Sequence, residues 1–217
     1  MALFSLFPRP ASSISSTSDK TAEYGVYKPA FVKTESFTDT KDRWMDPAVT
    51  YLRARDVAQG IGNNIYNADK NITRVEFTTL LVRMLDLKPG TGAPVEFKDA
   101  DKIPAYAKEC IDIASSYGLI EGYEGYFSPT DNITRQDMFV ITHRALTITN
   151  ILPATIPDKA VDFADFGNVS AYAQEPVTVL AKLGLIDGYE DNTIRPLTNT
   201  KRGECAQFLY NVLELDR

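Results

Sequence analysis

The phrase Asn71-Ile72-Thr73-Arg74-Val75-Glu76 returns as Asn132-Ile133-Thr134-Arg135-Gln136-Asp137 and again as Asn199-Thr200-Lys201-Arg202-Gly203-Glu204. Its arginines stand 61 and then 67 residues apart. Upstream of each copy lies the same opening: Phe37-Thr38-Asp39, Phe97-Lys98-Asp99 and Phe163-Ala164-Asp165. An aromatic follows (Trp44, Tyr106, Tyr172), and then a glycine turn (Gly60, Gly122, Gly188). A period of this length is one supersecondary unit used three times, each copy too small to bury its apolar face alone.

Between the opening and the turn, apolar or small residues recur at helical steps: Trp44, Val49, Leu52; Tyr106, Ile111, Ala114; Tyr172, Val177, Leu180. They predict a short first helix with one buried face. A turn is expected to begin near Asp56, Gly118 and Gly184, and Gly60, Gly122 and Gly188 are expected to end the helix where the backbone leaves through positive φ. The stretch holding Tyr66, Phe127 or Ile194 is too short for a helix and is expected to run extended. A second helix starts at the arginine phrase. Thr73 with Glu76, and Thr134 with Asp137, fit a capping box, in which hydroxyl and acid each accept a backbone N–H at the helix start. Phe77, Leu80, Leu81 and Met84 put its apolar face in the core, as do Met138, Ile141, Leu146 and Phe208, Leu209, Val212 in the later copies. Asp39, Asp99 and Asp165 are expected to cap or turn the chain ahead of the first helix. The fold class is therefore all-α, with three helix pairs around a shared centre. Residues 1–36 form a Ser- and Pro-containing tail whose Tyr24 to Val32 stretch is apolar enough to dock. The units occupy 37–90, 91–150 and 151–217.

Composition narrows the function. The 217-residue chain is 44% hydrophobic and carries a formal net charge of -6. Such an acidic chain lacks the basic field that nucleic acid requires. An anionic partner has to be drawn by local arginines. Cys110 and Cys205 lie in different units without metal spacing and read as small core residues; sequence alone does not pair them. A single histidine, His143, removes most zinc and triad chemistry. No stretch is long enough to span a membrane. The start, Met1 to Phe7, lacks a basic region and does not read as an intact signal peptide.

The three phrases resemble the S-layer homology repeat, whose pattern runs Phe-x-Asp, an aromatic, a helix, a glycine turn, aromatic-x-Pro and Ile-Thr-Arg-Ala-Glu-Phe. The second unit, from Phe97 through Glu121-Gly122-Tyr123 to Asp137, follows nearly all of it, and the resemblance extends over about 37 to 216. It implies a pseudo-threefold, three-pronged module that anchors a bacterial surface protein non-covalently to the secondary cell-wall polysaccharide, often through pyruvylated N-acetylmannosamine. It implies an extracellular place in the wall or S-layer of a Gram-positive-type bacterium, a larger surface protein or lattice as partner, no catalysis and no cofactor. The sugar is expected in grooves between repeats, to which the Thr-Arg-Ala-Glu motif contributes.

The residue chemistry is compatible with this. A pyruvate ketal carries a carboxylate, and a helix N-terminus offers free N–H groups and a positive dipole end. Arg74, Arg135 and Arg202 at the first helical position add a forked donor. Trp44, Tyr106 and Tyr172 are candidates for sugar platforms or for core, and Gly60, Gly122 and Gly188 shape the turn beside them. Thr73, Thr134, Glu76 and Asp137 complete the candidate set. The second unit matches best, so Arg135 leads and Arg74 follows; Arg135→Ala is expected to weaken wall binding with the fold retained. The third unit departs, with Lys201 in place of the capping threonine and Gly203 in the first turn, and its groove is expected to be altered. Two other readings remain open at this point: a lattice-assembly module without sugar binding, and an enzyme acting on wall polymer. No phosphate loop, nucleophile elbow or metal cluster is present for the latter.

Overall fold

Each unit of the computed structural model, which describes residues 35–215, begins by tying its first residues to a segment nearly 30 residues further on. The Asp39 carboxylate accepts the N–H groups of Tyr66 at 2.7 Å and Ala68 at 3.0 Å. Asp99 does the same with Phe127 and Ser128, both at 2.9 Å. Asp165 does it with Ile194 at 2.9 Å and Arg195 at 2.8 Å. Of the two roles expected from sequence, these aspartates do not cap the first helices; they lie where the chain turns and clasp the extended segment. The clasped Tyr66, Phe127 and Ile194 are fully buried, and the Phe37 and Phe97 rings lie 5.5 and 5.4 Å from Tyr66 and Phe127.

This clasp has a pH signature. Burial pushes the Asp39 carboxyl up, but the N–H groups of Tyr66 and Ala68 outweigh it and hold the group below the usual carboxylate range. A carboxyl depressed in the folded state stabilises above its unfolded pKa of about 4 and loses that contribution as pH falls further. Thermal denaturation of Asp39→Asn should therefore lose Tm less steeply than the parent between about pH 5 and 2. Parallel profiles would show that the clasp carries no such linkage.

Among the described residues there are six α-helices, α1 (Asp46–Ala54), α2 (Arg74–Met84), α3 (Lys108–Ser116), α4 (Arg135–Ile148), α5 (Ala171–Lys182) and α6 (Arg202–Leu213). They contain no strand beyond isolated bridges, so the all-α expectation stands. No described helix is long and apolar enough to cross a membrane. The expected docking of Tyr24 to Val32 lies outside the described residues. The first helices give way to the turn where the spacing places it, at Asp56, Gly118 and Gly184, all in the left-handed region. Gly60, Gly122 and Gly188 lie four residues later and serve a different purpose. A Cβ at Gly60 would stand 2.6 Å from both the Ile65 carbonyl and the Phe37 ring, and one at Gly122 2.5 Å from the Tyr126 carbonyl. They permit close approach of backbone to the unit's opening phenylalanine.

The second helices start as the phrase indicates, with local differences. At α2 the capping box is complete: Thr73 Oγ1 accepts from Glu76 N at 3.3 Å, and Glu76 accepts from Thr73 N at 2.9 Å. At α4 only half exists. Thr134 accepts from Asp137 N, but the shorter Asp137 side chain takes the Tyr172 hydroxyl at 2.6 Å instead of reaching back. At α6 the other half survives, with Glu204 accepting Lys201 N at 2.9 Å, since lysine has no acceptor to offer. Gly203 sits in a tight contact: a Cβ there would meet Met45 at 3.1 Å and the Ala68 carbonyl at 3.3 Å.

Helices pair across units and not within them. α2 packs on α3, α4 on α5 and α6 on α1, which closes the chain of three units into a ring. At the centre the closure is made by backbone. Ile133 N donates to Ile72 O at 3.0 Å, Thr200 N to Ile133 O at 3.1 Å and Ile72 N to Thr200 O at 2.9 Å. All three residues are fully buried. The same bridges consume the first N–H groups of the second helices: Arg74 N donates to Asp131 O, Arg135 N to Thr198 O and Arg202 N to Lys70 O, at 2.8, 2.9 and 2.9 Å. The next residue in each helix also donates to the adjacent unit: Val75 to Pro129, Gln136 to Pro196 and Gly203 to Ala68. The helix N-termini are thus not open for a ligand carboxylate, which corrects the expectation drawn from the sequence. Neighbouring carbonyls satisfy them first.

Candidate functional site at the unit junctions

The three motif arginines do the same thing at the three junctions. Arg74 Nε donates to Phe127 O at 2.9 Å, Arg135 Nε to Ile194 O at 2.7 Å and Arg202 Nε to Tyr66 O at 3.0 Å. Each acceptor belongs to the neighbouring unit, on the segment its own aspartate clasps. Each guanidinium also lies over a ring: Arg74 over Phe127 at 5.5 Å, Arg202 over Tyr66 at 4.7 Å, and Arg135 over Phe139 at 5.5 Å and Tyr189 at 4.9 Å. The arrangement is a cation–π contact with a directed hydrogen bond, and it fixes the angle between adjoining units.

Two cavities open at these junctions. The first, about 490 Å³, is lined by Arg74, Gly122, Tyr123, Asp137, Arg144 and Tyr172, among others. The second, about 350 Å³, is lined by Gln59, Gly60, Glu76, Arg83, Tyr106 and Arg202, among others. Each draws its motif arginine from one unit, its glycine and acid from the next and its aromatic from the third. Tyr106 and Tyr172 are each 57% exposed, so both rings stand at a cavity edge and outside the core. Trp44 holds the same position in its unit as Tyr106 and Tyr172, as Arg135, Gly188 and Glu204 do with respect to the other motif residues, and is 44% exposed. At that third junction the Tyr189 ring is held between Arg135 and Arg195, the latter at 3.9 Å, with its hydroxyl 3.3 Å from Glu204. Thr73 and Thr134 serve as helix caps and line neither cavity.

Hydrogen bonding differs between the cavities. In the first, Tyr172 donates to Asp137 and accepts from Gln136 Nε2 at 2.8 Å, and Arg74 Nη1 stands 3.5 Å from Asp137. Burial and the Asp137 bond push the Tyr172 phenol up to about 12, so it stays protonated at neutral pH. In the second, Arg202 is only 5% exposed and pairs with Glu76 at 3.2 Å, while its Nη2 donates to Gln59 O at 3.3 Å. Arg83 and Arg144 were not among the sequence candidates. A signal for them exists: each follows its unit's motif arginine by nine residues, and Asn211 takes that place in the third unit. Cys110 and Cys205 are free thiols, and Cys110 sits beside Arg83.

Comparison with known proteins agrees with this architecture. Residues 36–78, 96–139 and 162–206 each match the S-layer homology domain, together more than half of the chain. An amylopullulanase of Thermoanaerobacterium thermosulfurigenes is 34% identical over 186 residues, 85% of this chain and 10% of that protein. The exoglucanase XynX of Acetivibrio thermocellus is 33% identical over 86% of this chain and 17% of its own length. A cellulosome-anchoring protein of Acetivibrio thermocellus is 28% identical over 72% of this chain and 35% of its own length. The chain thus spans from a tenth to about a third of the length of these relatives. Three tandem matches in register with the observed units place the chain in the S-layer homology domain family.

Proposed function

We propose that this chain holds a surface protein to the bacterial cell wall by binding secondary cell-wall polysaccharide in the junction cavities, outside the cell. The observation that carries the reading is the pair of cavities, each assembled from three units and edged by an exposed tyrosine beside arginine and carboxylate. Such a lining suits a sugar: an aromatic face for the ring, and charged and polar groups for hydroxyls and an acidic substituent. The polymer is an acidic glycan, and pyruvylated N-acetylmannosamine fits the chemistry. The names of two relatives, the cellulosome-anchoring protein and an S-layer protein of Bacillus thuringiensis subsp. finitimus, point the same way. Two cavities on one rigid ring also suit a repeating polymer, because a second contact on the same strand acts at high effective concentration and raises avidity by about 10²–10⁴.

Purified sacculi provide the test. The chain should sediment with intact sacculi and remain in the supernatant once the secondary polymer has been chemically removed. Equal sedimentation with stripped sacculi would refute polymer binding, and no sedimentation with either would favour a purely structural role.

A further inference from the structure

The geometry points to Arg83, not a motif arginine, as the residue that reads the acidic group of the ligand, and to the second cavity as the place where it is read. The inference rests on the glycan-binding reading above and specifies it. Arg202, the motif arginine of this cavity, is already spent. Its Nε, Nη2 and Nη1 are directed at Tyr66 O, Gln59 O and Glu76, and it is buried. Glu76 is equally committed, to Arg202 and to both the N–H and the hydroxyl of Thr73. Arg83 lines the same cavity, half-buried, near the Cys110 thiol. Among the described residues no carboxylate lies within ion-pair distance of it. A half-buried guanidinium facing a cavity beside an exposed tyrosine favours an anion there.

The first cavity makes the contrast. Its equivalent arginine, Arg144, pairs with Glu121 at 3.5 Å and donates to Leu119 O at 3.3 Å. Its motif arginine, Arg74, has Asp137. Counting lining residues, the first cavity sets two arginines against three carboxylates (Glu121, Asp131, Asp137), and the second sets two against one (Glu76). Opposite net charge in two cavities of one ring assigns them different parts of the polymer. The carboxylate-bearing sugar belongs at Arg83, and a neutral sugar, donating hydroxyls to Asp137 and Asp131, belongs in the first cavity.

The test uses the full chain and two probes, a wall-polymer fragment with its pyruvyl group and the same fragment after mild acid removal of it. Calorimetric titration of the parent should show preference for the pyruvylated fragment. Arg83→Gln should lose about tenfold or more in affinity for it and keep its affinity for the stripped fragment. Arg144→Gln should retain the preference, and Arg83→Lys, which keeps stem and charge, should retain part of it. A preference that survives Arg83→Gln overturns the assignment while leaving glycan binding intact. Equal loss for both fragments in Arg83→Gln and Arg83→Lys marks damage to the fold and also overturns it. A parent that binds both fragments alike refutes the acidic reading itself, and a parent that binds neither removes glycan binding altogether.

Discussion

Arg202→Ala should lower the free energy of unfolding by about 3–5 kcal/mol, far more than an arginine at a helix start ordinarily costs. The side chain is buried and holds three acceptors across the α6–α1 junction: the carbonyls of Tyr66 and Gln59 and the carboxylate of Glu76. Truncation leaves a carboxylate that is itself largely enclosed, without its cation, and two carbonyls without donors. It also removes the guanidinium from the face of Tyr66. Arg74 makes the equivalent Nε bond but keeps 20% of its side chain exposed and stands 3.5 Å from Asp137. Arg74→Ala should therefore cost about 1–2 kcal/mol. Urea denaturation of the two variants gives the comparison directly. A smaller loss at Arg202 than at Arg74 would mean that the ring is not closed through α6 and α1 as described.

Phe127→Ala is the second large effect, about 3–5 kcal/mol. The ring is fully buried and packs on Phe97 at an interplanar angle of 30°. Its residue is also a hub: its N–H goes to Asp99, its carbonyl receives Arg74 Nε, and Arg74 lies over its face. A void there removes packing and loosens the seat of the first junction at the same time. Phe127→Leu keeps most of the volume and should cost about 1 kcal/mol. If calorimetric unfolding gave similar small losses for both, the hub would be a surface feature rather than a core one.

Much of this was written in the sequence as repetition. The three arginine phrases locate the second helices to the residue, because a helix start depends on a local cap and a local apolar period. The buried faces of α2, α4 and α6 follow from the same periodicity. What local signals do not carry is which unit touches which. Asp39 reads as a helix cap from its neighbours in sequence, yet its partners are Tyr66 and Ala68. The N-terminal N–H groups of α2 read as free, yet Asp131 and Pro129 of the next unit take them. Gly60 reads as part of the helix exit, yet what requires a glycine there is a long-range contact, with the Ile65 carbonyl and the Phe37 ring standing where a Cβ would go. Pairing of α2 with α3, and closure of α6 on α1, arise from tertiary packing and leave no mark in any single segment.

The candidate site divides along the same line. The glycines, the tyrosines and the motif arginines were legible as a set, and the structure brings Arg74, Gly122, Asp137 and Tyr172 to one cavity and Arg202, Gly60, Glu76 and Tyr106 to another. The best sequence match, Arg135, sits where Tyr189 covers its guanidinium, a difference from the other junctions that depends on how one ring turns. Arg83 was hidden in plain sight, since an arginine late in an amphipathic helix ordinarily reads as solvated.

Binding between the units can be read residue by residue in a backbone amide NMR titration of the chain with the pyruvylated wall-polymer fragment. Shifts should cluster at Gly60, Ile61 and Tyr106 and at Gly122, Tyr123 and Tyr172, the residues that edge the two junction cavities. Shifts confined to the outer faces of the helices, or none at saturating fragment, would contradict binding between the units.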